Sequence, residues 1–119
     1  MPPDRAGLGR IGEDAACEYL AERGFEVLQR NWRSRSGEID VVARCGGTVV
    51  FAEVKSRTGT AFGEPEESVT PRKAGRIRML ASEYLAGSEV HGEVRFDVIA
   101  VMLDRSGRVL EIRHVPDAF

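Results

Sequence analysis

The stretch Gly37-Glu-Ile-Asp-Val-Val-Ala-Arg-Cys-Gly-Gly-Thr-Val-Val-Phe-Ala-Glu-Val-Lys55 contains two largely apolar runs joined by Cys45-Gly46-Gly47. Valine and isoleucine favour strands, and a glycine pair favours the tight turn of a hairpin. The pattern predicts strands over Glu38–Arg44 and Thr48–Arg57. A turn centred on Gly46-Gly47 sets Cys45 opposite Thr48. Counting outward from there, Asp40 lies opposite Glu53 and Glu38 opposite Lys55. Side chains two apart on a strand share a face. Alternation therefore predicts that Glu38, Asp40, Glu53 and Lys55 all project from one side of the sheet.

Opposed carboxylates repel across a strand pair, and burying unpaired charge is costly. The neighbours Ile39, Val41, Val42, Val49, Val50, Phe51 and Val54 suggest a buried sheet. Lys55 is one compensating charge, and a divalent cation is the obvious other. Carboxylate oxygens are hard ligands suited to Mg²⁺ or Mn²⁺. The plainer alternative is a solvated end of the sheet, with Glu38 and Lys55 as an ordinary ion pair.

Outside the hairpin, residues 1–8 read as a loose, flexible tail and residues 9–119 as a single domain. Gly9–Arg23 has helical periodicity and is followed by Gly24, a residue suited to ending helices. Phe25–Arg33 alternates as a strand does, and Thr58–Ser68 reads as a mobile loop. Thr70-Pro71 marks a helix start, N-cap then N1 proline, with the helix running to about Ala86. Val94–Leu103 is apolar enough for a central strand, and Val109–Val115 is a last one. The order α-β-β-β-α-β-β predicts an α/β domain with a mixed central sheet flanked by helices.

Two further features bear on the acid pair. In the first helix, Glu13, Ala16, Cys17 and Leu20 form one stripe, which places Glu13 on the face packed against the sheet. Glycines at 9 and 12 would allow close approach there. The alternative for Glu13 is an acid favoured by the helix N-terminus. In the second helix, Lys73 borders the apolar stripe of Ala74, Ile77, Leu80, Ala81, Tyr84 and Leu85. Asp97 and Arg95 share a face of their strand and read as an internal ion pair rather than a further metal ligand. His91 and His114 have no evident role.

The chain has 119 residues, with 17 basic and 19 acidic side chains and a net charge of −2. That balance gives no global attraction to a polyanion. Its distribution does: Thr70–Ser82 carries Arg72, Lys73, Arg76 and Arg78 with no acid, and Leu28–Ser36 carries Arg30, Arg33 and Arg35 around Trp32 with no acid. Basic patches of this kind suit a phosphate backbone, whereas solvated surface clusters are the plainer reading. Trp32 is either a core residue or a base-stacking platform. Two cysteines lack any zinc-like spacing and read as reduced thiols. No apolar run approaches the ~20 residues of a membrane span. The first residues, Met1-Pro-Pro-Asp-Arg5, lack the apolar run of a signal peptide, so the expectation is a cytoplasmic protein.

Gly37-Glu-Ile-Asp40 followed by Val50-Phe-Ala-Glu-Val-Lys55 resembles the Asp…(D/E)-x-K core of the restriction-endonuclease-like superfamily. The chain as a whole is similar to the YraN-like family of small bacterial proteins. Gly12-Glu13, Arg30-Asn31, Glu53-Val-Lys-Ser-Arg57, Ser68-Val69 with Lys73, and Arg95-Phe-Asp97 carry the likeness, which covers roughly residues 9–103. The resemblance implies a restriction-endonuclease-like fold related to Holliday-junction resolvases, and a Mg²⁺- or Mn²⁺-dependent endonuclease acting on DNA structure. It implies Asp40, Glu53 and Glu13 as metal ligands, and Lys55 beside them as a catalytic residue. Glu38 falls in the surrounding shell. Arg30, Arg33, Arg35, Ser68, Arg72, Lys73 and Arg76 would contact nucleic acid. Resolvases suggest a homodimer. The competing expectations are a nucleic-acid-binding module of the same fold with little or no catalysis, and a protein-interaction scaffold.

Overall fold

A computed structural model describes residues 1–58 and 69–119. Its elements in chain order are α1 (Arg5–Glu22), β1 (Glu26–Ser34), β2 (Gly37–Cys45), β3 (Thr48–Thr58), α2 (Pro71–Ala86), β4 (Glu93–Leu103) and β5 (Val109–Val115). The predicted order therefore holds. One difference lies at the N-terminus: α1 begins at Arg5, so residues 5–8 are helix rather than tail. The Asp4 carboxylate accepts the Gly7 N–H at 2.8 Å and caps this earlier start. The stretch expected as a loop, Thr58–Ser68, falls almost wholly outside the described residues.

The five strands form one sheet in sequential order β1 to β5. All neighbours are antiparallel except β3 and β4, which run parallel from Thr48↔Glu93 to Thr58↔Leu103. A parallel pair needs a crossover, and α2 lies in that connection. The sheet is thus mixed, with a helix on each face. Ala16 and Leu20 of α1 pack on Val41, Ala43, Ala52, Ile99, Val101 and Leu103 of the sheet. Leu80, Ala81 and Tyr84 of α2 pack on Ile39, Val42, Val49 and Phe51 of the other face. Trp32 packs edge-on to Tyr84, with ring centroids 5.6 Å apart, and so belongs to this second core. Gly12 is buried where α1 crosses β3, and a methyl group there would run into the Ser56 side chain. Gly9, by contrast, faces open space.

Asp97 is fully buried. Arg95 grips both its oxygens, at 2.9 and 2.8 Å, as the shared face predicts. His114 Nε2 lies 2.7 Å from Oδ2, and the Asp117 N–H donates to Oδ1 at 3.0 Å. Tyr19 Oη in turn meets His114 Nδ1 at 3.2 Å. His114 thus has a role the sequence did not suggest, linking β4, β5 and α1. Burial alone would raise the Asp97 pKa, but bonds from His114, Arg95 and the Asp117 N–H outweigh it and hold it at about 2, below its ordinary 3.8.

With a folded pKa below the unfolded one, this group's contribution to stability is complete above about pH 4 and is lost as the pH falls towards 2. Asp97→Asn leaves Arg95 and His114 without their anion and is expected to cost roughly 3 kcal/mol. Thermal melts should show that loss at pH 7 and little difference from wild type near pH 2.

Candidate active site where β2 leaves β3

The β2–β3 ladder runs from Cys45↔Thr48 to Val41↔Ala52, the register predicted from the hairpin. The next step outward would pair Asp40 with Glu53. There the two strands part. The Asp40 carboxylate accepts the Val54 N–H at 2.8 Å, supplying a bond the ladder no longer provides. Beyond this point β2 stays paired with β1, through Trp32↔Ile39 and Arg33↔Glu38.

The parting also changes the faces. Val41 packs under α1 and Ile39 under α2, although they are two residues apart. Alternation therefore breaks at Asp40. The expectation that Glu38, Asp40, Glu53 and Lys55 share one regular face is corrected to this extent. Glu38 does not meet Lys55, because it follows β2 towards β1 and takes Arg33 at 3.0 Å.

Glu53, 13% exposed, lies between two ammonium groups. Lys73 Nζ is 2.9 Å from its Oε1, and Lys55 Nζ is 3.4 Å away. Lys73 is delivered by α2, whose N-cap Thr70 side chain accepts the Lys73 N–H at 3.2 Å. The helix-start motif therefore positions a site residue. Glu13 reaches in from α1, where Asn31 Nδ2 donates to it at 2.8 Å and Arg30 lies at 3.6 Å. Asn31 adopts a left-handed conformation with φ 51°, which asparagine tolerates better than most residues.

The electrostatics follow from this crowding. Burial, the Glu53 charge and, more weakly, Glu13 and Glu38 raise the Asp40 pKa to about 7, against the Val54 hydrogen bond, which lowers it. Burial and the neighbouring Lys73 lower the Lys55 pKa, and Glu53 offsets part of that. Burial pulls Lys73 down too, but its bonds to Lys55 and Glu53 leave its pKa above the ordinary value.

Among the described residues no group of three His, Cys, Asp or Glu side chains is gathered closely enough to hold a metal ion. The donor chemistry nevertheless suits Mg²⁺, which commonly uses one or two carboxylates and takes its remaining ligands from water and phosphate. Asp40 and Glu53 could supply such a pair, and Glu13 faces the same cavity as Asp40.

The basic residues divide. Arg30 is held by Asp14 at 2.6 Å and Glu13, so it braces α1. Arg33 pairs with Glu38. Ser34 and Ser36 donate to Glu83 of α2 at 3.0 and 3.1 Å, which docks the β1–β2 turn on that helix. Arg76 runs beside Gly37, the first residue of β2 after this turn. The turn bearing Arg33 and Arg35 and the helix bearing Arg72 and Arg76 are thereby neighbours. Ser68 lies outside the described residues. Arg5 and Arg57, absent from the predicted site, line the cavity beside Asp40. Arg57 belongs to the quoted Glu53–Arg57 motif, so a signal was present. Arg5 had none, because its helix was expected to start later.

An Asp40 pKa above the unfolded 3.8 has the opposite sign to Asp97. Its stabilising effect is complete below about pH 4 and is lost as the pH rises to about 7. In chelator, Asp40→Asn should therefore gain stability relative to wild type across that window. Glu53→Gln should move the Asp40 carboxyl titration, followed by NMR, towards lower pH. A wild-type Asp40 titrating near 4 would contradict the burial and charge coupling described.

Comparison with known proteins places these residues in a family. The model of "Uncharacterised protein family UPF0102" matches residues 12–101. A UPF0102 protein of Rhodococcus opacus is 51% identical over 113 residues, covering 94% of this chain and 95% of its own. One of Pelotomaculum thermopropionicum is 47% identical over 120 residues, covering both chains in full. One of Mycolicibacterium smegmatis is 51% identical over 114 residues, covering 93% of this chain and 91% of its own. Sharing nearly its whole length with such relatives, the chain belongs to the UPF0102, or YraN-like, family.

Proposed function

We propose that this protein is a metal-dependent endonuclease of restriction-endonuclease-like fold that hydrolyses phosphodiester bonds in structured DNA. The observation that carries the reading is the meeting of Asp40 and Glu53 where β2 and β3 part, with Lys55 adjoining. Paired carboxylates beside a lysine of lowered pKa are a poor way to end a sheet and a good way to hold a cation against a phosphate.

Asp40 and Glu53 would hold Mg²⁺ or Mn²⁺, with Glu13 joining them when it leaves Asn31. The bound ion supplies an acidified water and positive charge at the scissile phosphate. Lys55 has two uses in its two protonation states. The neutral amine accepts a proton from the attacking water, and the ammonium donates to a phosphate oxygen. Lys73 can exchange Glu53 for a phosphate oxygen. Arg33, Arg35, Arg72 and Arg76 form the surface along which a backbone would run, and Glu38 restrains Arg33. Ser68 remains a proposed contact from its sequence position beside Lys73. Few side chains here are arranged to read base edges, which favours recognition of shape over sequence. A homodimer would present two such sites to a branched substrate.

A second reading is a nucleic-acid-binding module with the same fold and little or no catalysis. The Lys73–Glu53 contact favours it, because an ammonium already neutralises one of the two acids.

The expected result is Mn²⁺-dependent cleavage of flap or four-way DNA. Asp40→Ala and Lys55→Ala should each lower it by at least about 100-fold while circular dichroism stays native. Equal cleavage by Asp40→Ala would falsify the enzyme reading. DNA binding without cleavage, and without heat of site-specific Mg²⁺ binding in calorimetry, would favour the module.

A further inference from the structure

On the α1 side of Asp40 the protein has a cavity of about 540 Å³. That lies within the roughly 300–1,000 Å³ of small-ligand sites. We infer that it is a subsite for one unpaired nucleobase next to the phosphate that a cation at Asp40 and Glu53 would hold. The inference rests on the nucleic-acid reading above and names what makes the site select structure.

The walls have the mixed character such a ligand needs. Leu8 from α1, Val54 from β3 and Leu103 from β4 offer apolar surface against which the faces of a base can lie. Arg57 offers donors for its edge, and Arg5 for the adjoining phosphate. Flipped or unpaired bases are held in this way, between apolar surfaces and with polar groups at the rim.

Gly9 also lines the cavity. It is not a packing glycine, because a Cβ added there would have no atom within 4 Å. It differs in this from Gly12 in the same helix, which is bare because Ser56 fills the space. At Gly9 the missing side chain leaves open room in the cavity wall rather than room for a neighbour.

The cavity and the acid pair share Asp40, so a base seated there keeps its own phosphate near the carboxylates. A base stacked within duplex cannot enter without leaving its partner. An unpaired base can, since it has no pairing or full stacking to give up. Junctions, flaps and single strands would be favoured for that reason, with no need for contacts that read sequence.

The test uses fluorescence anisotropy, with Ca²⁺ in place of Mg²⁺ or Mn²⁺, on a labelled dT 12-mer and a fully abasic strand of the same length. Wild type should bind the base-bearing strand about tenfold more tightly, the scale of covering part of one base with apolar side chains. Gly9→Trp, which fills the cavity with a better helix former, should bind dT as weakly as the abasic strand. Arg57→Ala guards against misfolding of that variant: it should lose more affinity for dT than for the abasic strand. Retained discrimination in a folded Gly9→Trp, absence of discrimination in wild type, or an equal loss on both strands in Arg57→Ala would each overturn the subsite. The enzyme reading fails separately, through undiminished cleavage by Asp40→Ala while base discrimination persists.

Discussion

One backbone donor organises this molecule: the N–H of Val54, taken by the Asp40 carboxylate at 2.8 Å. A buried peptide N–H must find an acceptor. In the body of the hairpin that acceptor is the facing strand. Past Val41↔Ala52 it is a side chain from β2, while the main chain of β2 stays with β1. On its other edge β3 keeps its parallel partner as far as Thr58↔Leu103. The sheet therefore opens on one side of β3 and stays intact on the other. Glu53 and Lys55 stand at the mouth of that opening, with Glu13 entering from α1 and Lys73 from α2. The hydrogen bond lowers the Asp40 pKa, yet burial and Glu53 outweigh it. The residue that satisfies the backbone is itself left short of countercharge.

That opening also explains which parts of the fold were legible in the sequence. The glycine pair at 46–47 determines the hairpin register, and the ladder follows it as far as the ladder runs. Thr70-Pro71 marks the start of α2, because an N-cap and an N1 proline act locally. The apolar stripes of both helices were readable for the same reason. Alternation failed beyond Asp40, since it presumes a continuous ladder and a single pairing partner. Glu38 was given to Lys55 on that assumption, whereas the β1 pairing gives it to Arg33. The early start of α1 was hidden by Pro2-Pro3 and by glycines at 7 and 9, with Asp4 the only capping cue. His114 looked idle because its partner, Asp97, lies on another strand and 17 residues away.

Charge bookkeeping shows a similar difference between local pattern and spatial arrangement. The net charge of −2 hides two basic stretches, and folding treats them unequally. Arg30 is spent on the acids of α1, and Arg95 on Asp97. Arg33 and Arg35 are carried by the turn that Ser34 and Ser36 fasten to α2, near Arg76. Of the acids, Asp97 is taken up inside the structure and Glu13, Asp40 and Glu53 at the site, while most other described acids are exposed. On the proposed reading, attraction to a phosphate backbone comes from this one neighbourhood, and it should weaken with salt more steeply than a neutral chain suggests.

Lys73 ties that surface to the acid pair. Without a cation its ammonium lies 2.9 Å from Glu53 and neutralises the acid that most strongly perturbs Asp40. A cation between Asp40 and Glu53 would take over this neutralising role, because both oxygen sets favour it over a monovalent amine. Lys73 would then be a cation beside a cation, on the first turn of a helix whose neighbouring side chains, Arg72 and Arg76, are also basic. The favourable place for it is against an incoming phosphate. Metal and substrate binding would in this way reinforce each other, since each removes a charge conflict that the other creates. The two proposed roles of the site, holding a cation and holding a backbone, would then be linked through one side chain rather than merely adjacent.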